Sequence, residues 1–475
     1  MTKNYDLVVI GGGPAGYAAA LYGSAAGLEV AVVEENKIGG TCLHVGCIPA
    51  KELLETASVL RTVRQAKDFG IETSQEPVID LSISQNRKQT VIDQLFTGLN
   101  SLLTGREVTI YSGKGFLSSD QKIEIKKENE TEIIQGKNVL LATGSTPRTI
   151  EGFEIDGEIV MTSDEFLSLE NIPDRVAVIG GGAIGCEFAS LLNDLGSAVT
   201  LLESLDEILP GCDKDISTSL RRSFSKKGID VQTGVKVEGH EIKDQKTTVS
   251  WSREGDVNQI EVDLVVISVG RQPNGHSAGL QNTEVEVDQK GFIEVDERLK
   301  TKEQGVWAAG DVINTPQLAH LGFAEGIFAV KEILGENPVP IDPETVPWCI
   351  YCDPEVAFAG LTEEKAKAAG YEVTVSKHRY SGNGRAMIIG ETEGLVKVIA
   401  ENKGDGKAGR ILGVHMVGPW VTEQLGQAYL AVNLEATVDE VANHIQAHPT
   451  LSELFGETVM SLTGRSLHGK NDRID

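Results

Sequence analysis

A chain of 475 residues with 43 basic and 70 acidic side chains, net −27, is too acidic to favour a nucleic-acid backbone or an anionic membrane surface. Its 40% hydrophobic content, 52 glycines and 5% aromatics describe a glycine-rich globular protein of several domains, and not a disordered one. No run of about 18 apolar residues occurs, and MTKNYDLVVIGGG lacks the pattern of a secretory signal, so the chain reads as cytoplasmic and its six cysteines as thiols rather than structural bridges.

From Tyr5, YDLVVIGGGPAGYAAALYGSAAGLEVAVVEE predicts a short apolar strand, a glycine turn with Gly11, Gly13 and Gly16, a helix, and a second strand ending at Glu34. Glycine permits the tight turn and lets the backbone approach a pyrophosphate, which then sits at the positive end of a helix. The acid about 20 residues on accepts hydrogen bonds from ribose hydroxyls. One such turn alone is often only a packing device.

Next comes GGTCLHVGCIPAKELLETASVL, with Cys42 and Cys47 at the start of a helix-compatible stretch that is apolar at Leu53, Leu54, Ala57, Val59 and Leu60. A helix N-terminus favours thiolate, which suits redox work. Zinc is the competing reading, but it needs four ligands, and the other close pair, Cys349 and Cys352 in PWCIYCDPE, lies in an extended segment far along the chain. Those two, with Cys186 and Cys212, read as buried structural thiols.

The strand-and-turn VLLATGSTPR (Val139 to Arg148) is followed by RVAVIGGGAIGCEFASLLNDLGSAVTLLES, a second complete unit with Gly180, Gly182, Gly185 and Glu203. Two copies with matching acids imply two bound dinucleotides. A carboxylate at Glu203 favours the free 2′-hydroxyl of NAD, and SLDEILPG offers no arginine to reverse that preference. LVVISVGRQPN (Leu264 to Asn274) repeats the closing strand, and GVWAAGDV places Asp311 where it would reach a ribityl hydroxyl. Beyond Val346 no nucleotide signature remains; GLVKVIAE and ILGVHMVG look like strands and TEQLGQAYLAVNLE like a helix. In QAHPTLSELFGE, His448 is the candidate base, since imidazole as a side chain suits proton transfer at neutral pH, and Glu453 would orient its ring, although a histidine before proline is by itself more often structural.

GGTCLHVGCIPAK, ATGSTPR, GRQPN, AAGDV and HPTLSE, in that order along nearly the whole chain, resemble the motifs of FAD-containing pyridine nucleotide-disulfide oxidoreductases, most of all the dihydrolipoamide dehydrogenases. The resemblance implies an α/β fold of two Rossmann-like dinucleotide-binding domains plus a C-terminal α+β dimerisation domain. Residues 1–150 would form the first part of the FAD-binding domain, 151–273 the NAD-binding domain, 274–345 the part completing the FAD domain, and 346–475 the interface domain. It also implies that Cys42 is the interchange thiol facing the substrate and Cys47 the thiol against the flavin, the pair alternating between disulfide and dithiol. FAD would be held by Gly11, Gly13, Gly16, Glu34, Lys51, Thr143, Gly144, Asp311 and Ala319, and NAD by Gly180, Gly182, Gly185, Glu187, Glu203 and Gly270, with Lys51 and Glu187 paired beside the flavin ring.

His448, oriented by Glu453, is implied as the base and comes from the other subunit of a homodimer; no metal takes part. His44 stands where the family often has asparagine and receives no role. The implied reaction oxidises protein-bound dihydrolipoamide to lipoamide and reduces NAD+ to NADH. A reductase of another disulfide, such as a glutathione-type one, is disfavoured by Glu203, and a non-catalytic flavoprotein by Cys42, Cys47 and His448. The implied partners are a lipoyl domain and either the acyltransferase core of a 2-oxoacid dehydrogenase complex or a glycine cleavage carrier protein, with neither nucleic acid nor membrane. No lipoyl-type domain is expected ahead of the first strand.

Overall fold

The structure, a computed structural model, describes residues 2–127, 130–243, 246–404 and 407–469. The first apolar run becomes strand Lys3–Ile10, in which Leu7, Val8 and Val9 are fully buried. Such a continuous apolar strand belongs inside a parallel sheet covered on both faces. Here it lies between Val30–Glu34 and Thr131–Leu141, both parallel to it; Thr109–Ser112 extends the sheet on one side, and Val306–Ala308 joins the end of Thr131–Leu141 on the other. The chain therefore returns, more than a hundred residues later, to complete the sheet that it began. The strand order reverses at Lys3–Ile10, which opens a crevice at its carboxyl end.

A second parallel sheet repeats the plan with strands in the order Asp230–Gln232, Ala198–Leu202, Arg175–Ile179, Leu264–Ile267 and Val160–Thr162. Between the two sheets runs a ribbon that periodicity did not foretell: Ser145–Pro147 pairs antiparallel with Arg271–Pro273, so the two closing-strand motifs hydrogen-bond each other. The C-terminal part is an antiparallel sheet ordered Trp348–Ile350, Glu355–Gly360, Ala408–Gly418, Leu395–Asn402 and Val373–Arg379, packed by helices Val421–Asn433 and Glu453–Ser461. Among the described residues no helix is long and apolar enough to cross a membrane.

One buried ionic cluster ties this last sheet to the second. Lys397, 2% exposed, reaches Asp213 at 2.9 Å, Asp215 at 2.7 Å and Glu363 at 2.8 Å. Asp213 caps helix Lys214–Lys226 and Glu363 opens helix Glu363–Ala368, so one ammonium joins two helix starts from different parts of the fold. Burial alone would lower the Lys397 pKa, but the three carboxylates outweigh it and hold the amine protonated. Lys397→Met leaves Asp213 buried without a cation, and breaking a buried pair in this way typically costs about 3–5 kcal/mol. Urea unfolding should show a loss of that order, and a change below about 1 kcal/mol would mean that water, not Lys397, serves these carboxylates.

Candidate active site

Both glycine turns end at one cleft of about 2510 Å³, which exceeds the roughly 300–1,000 Å³ of an ordinary ligand pocket and leaves room for more than one cofactor. At Gly11, φ is +107° and a Cβ would run into Ala142 O; at Gly180, φ is again +107° and a Cβ would run into Ser268 O. Each turn thus packs on the closing strand of its own sheet. A Cβ on Gly13 or Gly182 would meet nothing within 4 Å, so at these points the backbone is open to a ligand. Helices Pro14–Ala25 and Ala183–Leu195 begin there without a side-chain cap, leaving amide N–H groups for an anion.

Gly16 and Gly185 stand differently from the expectation that they touch cofactor. Neither lines the cleft; a Cβ on them would strike Gly11 O and Gly180 O, so they serve the close helix–strand contact. The acids are placed alike in the two units. Glu34 accepts from Gly12 N at 2.6 Å and Asn36 N at 2.8 Å; Glu203 accepts from Gly181 N at 2.6 Å and Leu205 N at 2.8 Å. Both line the cleft. Lys236, which sequence reading missed, lines it too, one residue beyond the Val235 N–H that donates to Glu203 O at 3.1 Å, but it is paired with Glu238 at 2.8 Å.

The two thiols sit on separate helical pieces rather than one. Cys42 lies in helix Gly40–His44, and Cys47 is the first residue of helix Cys47–Gln65. Gly46 breaks the run with φ −145° and ψ −116°, in a space where a Cβ would come within 2.8 Å of Thr41 O. Cys42 is half-buried and Cys47 open to the cleft, both as thiols. The neighbouring Cys42 thiol and the nearby Lys51 outweigh burial and bring the Cys47 thiol down to about 7. The adjacent Cys47 sulfur and burial hold the Cys42 thiol well above its ordinary value. The pair is therefore asymmetric, with charge settling on Cys47.

Lys51 follows one turn later and is gripped by both Glu187 oxygens at 2.8 Å, while Tyr351 N donates to Glu187 Oε1 at 3.0 Å. Burial would lower the Lys51 pKa, but Glu187 reverses this and the net shift is upward. Asp311 accepts from Ser145 Oγ at 2.6 Å through Oδ2, and Arg271 Nε donates to the same Ser145 Oγ at 2.7 Å. Thr143, Gly144, Gly270, Glu187 and Ala319 also line the cleft. His44 lines it as well, with Nε2 on Ile38 O at 2.9 Å and its ring edge-on to Phe96.

Cys186 and Cys352 are buried, as expected; Cys212 is only half-buried, and so is Cys349, which faces the cleft because its strand forms part of the wall. None of these joins a metal-ligand cluster among the described residues. His448 and Glu453 are not brought to the cysteines within one chain. The lining ends at Tyr429 among the described residues, and His448 stands 74% exposed with Nδ1 on Glu453 Oε2 at 2.9 Å. Asn383 Nδ2 steadies the other Glu453 oxygen at 3.4 Å.

Residues 5–326 match the pyridine nucleotide-disulphide oxidoreductase family. The chain belongs to this family. Residues 346–459 match the family's dimerisation domain, in keeping with a homodimer. A dihydrolipoyl dehydrogenase of Bacillus subtilis is 42% identical, covering 98% of this chain and all of that protein, and one of Thermus scotoductus is 39% identical over 98% and 99%. Among solved structures, LpdA of Mycobacterium tuberculosis has a TM-score of 0.89 at 26% identity, covering 97% of this chain and 100% of that one. The HOCl-induced flavoprotein disulfide reductase RclA of Escherichia coli has a TM-score of 0.84 at 26% identity, over 96% and 99%. As a family member the protein is an oxidoreductase that uses FAD and NAD. The two open glycine turns, the uncapped helix starts and the paired acids fit those cofactors.

Proposed function

We propose that this oxidoreductase oxidises dihydrolipoamide to lipoamide, with Cys42 and Cys47 as the electron relay and NAD+ as acceptor. The observation that carries the reading is that Cys42 and Cys47, with the Lys51–Glu187 pair, line one cleft shared by both dinucleotide turns. In the disulfide form, a substrate thiol gives its proton to Nε2 of His448, the nitrogen left free by the Nδ1 bond to Glu453. The resulting thiolate attacks Cys42 Sγ, forming a substrate–Cys42 disulfide and breaking the Cys42–Cys47 bond. Cys47 departs as thiolate, and the nearby Lys51 ammonium stabilises its charge. The second substrate thiol then attacks the first substrate sulfur, closes lipoamide and expels Cys42, its own proton passing to the departing Cys42 sulfur, while the first proton stays on His448 as imidazolium and balances the charge of the Cys47 thiolate. Two electrons now rest on the Cys42–Cys47 pair.

Bound at the first turn, FAD supplies the two-electron passage from the dithiol to NAD+. Gly11, Gly13, Glu34, Thr143, Gly144, Asp311 and Ala319 would hold it, and Gly180, Gly182, Glu203 and Gly270 would hold NAD. Lys51 keeps a positive charge beside Cys47 while Glu187 and Tyr351 fix its direction.

Exposure of His448, oriented by the largely buried Glu453, supports its donation to the cleft of the second subunit. A net charge of −27 suits a basic docking domain on a lipoyl-bearing complex, and association that does not slow with added salt would count against that partner. Paired assays test the activity itself. NADH should form from dihydrolipoamide and NAD+, and NADPH oxidation by glutathione disulfide should be slower by orders of magnitude; the reverse ranking would assign the enzyme to another disulfide.

A further inference from the structure

We propose that Glu325 is a positioning residue for the flavin site, acting through Gly310 and Thr315 to fix the turn that carries Asp311. The inference rests on the reading of Asp311 as a flavin contact. Glu325 lies in helix Ala319–Ile333 and is 1% exposed. Its Oε2 accepts from Gly310 N at 2.7 Å and its Oε1 from Thr315 Oγ1 at 2.7 Å. Among the described residues it has no ion-pair partner. A carboxyl buried without a cation is costly, so these two bonds are what hold it, and in return they bracket Asp311 on both sides. Asp311 itself accepts from Ser145 Oγ through Oδ2, stands 3.7 Å from Arg271 Nε and lines the cleft.

The helix that bears Glu325 has a second hold on the same site. A Cβ on Gly326 would run into Ala15 O, and one on Gly310 would come within 3.0 Å of Ala15 Cβ. Ala15 is the second residue of the uncapped helix behind the first glycine turn. One helix therefore abuts the pyrophosphate turn through glycine and holds the Asp311 turn through Glu325. Burial pushes the Glu325 carboxyl up to about 7, so both protonation states occur near neutral pH. Either state serves: Gly310 N–H always finds an acceptor oxygen, and the Thr315 hydroxyl can reverse from donor to acceptor. Glutamine has the same shape and the same options.

The test is the FAD dissociation constant of the purified homodimer, read by flavin fluorescence after reconstitution, beside the thermal midpoint of the apoprotein. Loss of a hydrogen bond to a charged group predicts a rise of roughly 10- to 100-fold for Glu325→Leu, with Glu325→Gln within about threefold of the parent. Glu325→Leu added to Asp311→Ala should weaken FAD by no more than about threefold beyond Asp311→Ala alone, because the first acts through the second. Independent, multiplying effects would overturn the proposal, as would a lowered thermal midpoint with FAD affinity unchanged. An unchanged affinity in Asp311→Ala would overturn the reading of Asp311 and this proposal with it, whereas a loss there without a loss in Glu325→Leu removes Glu325 alone. Should Glu325→Leu fail to fold, Thr315→Val removes one of the two bonds and is expected to raise the constant about threefold to tenfold; no rise there would equally overturn the proposal.

Discussion

Cys42→Ser and Cys47→Ser are each expected to lose dihydrolipoamide-dependent NADH formation by roughly 10⁴-fold or more, because removing a nucleophile or its leaving group stops the exchange outright. Both variants should keep FAD. Among the residues proposed to hold it, Gly11 packs on Ala142, Glu34 accepts from Gly12 and Asn36, and Asp311 accepts from Ser145, and neither substitution removes any of these contacts. Flavin absorbance of the purified variants and steady-state turnover check the two halves together. Near-normal turnover in either variant, or flavin lost from both, would show that the thiols are structural.

His448→Gln should lower dihydrolipoamide oxidation by about 10²- to 10⁴-fold, the usual contribution of a positioned base, and leave reduction of the flavin by NADH almost unchanged. Stopped-flow absorbance separates these half-reactions. The subunit assignment has its own test in hybrid dimers. A dimer with Cys42→Ser in one chain and His448→Gln in the other retains one intact site only if each His448 serves the opposite cleft, so about half of the parental activity should return. Activity no higher than in the two parent variants would place His448 with its own chain's cysteines.

Much of this architecture was legible in local sequence. The two glycine turns, their acids and their flanking apolar runs are short-range patterns, and Lys3–Ile10, Arg175–Ile179 and helices Pro14–Ala25 and Ala183–Leu195 follow them closely. Strands Leu395–Asn402 and Ala408–Gly418 and helix Val421–Asn433 likewise coincide with their predicted segments. What escaped depends on distance along the chain. Helix Leu81–Gly105 did carry a local signal, Asp80 accepting from Ser82 N at 3.0 Å and Ile83 N at 3.3 Å, but it lies between motifs and drew no reading.

The grip of Glu187 on Lys51 spans 136 residues and that of Arg271 on Ser145 spans 126, and no periodicity announces such pairs. Resemblance supplied the first and missed the second. The split of the cysteine segment at Gly46 was hidden because glycine's freedom leaves no mark in an otherwise helical pattern. Glu325 looked like one acid among 70, and only burial distinguishes it.

The relay itself is tested most directly by trapping its mixed disulfide. In Cys47→Ser the resolving thiol is gone, so incubating the reduced variant with lipoamide and an alkylating agent should cap the freed substrate thiol and leave the substrate joined to Cys42. Peptide mass spectrometry is predicted to find that adduct on the Cys42 peptide, and no corresponding adduct on Cys47 in the Cys42→Ser variant. An adduct on Cys47 but not on Cys42, or on neither, would contradict the account.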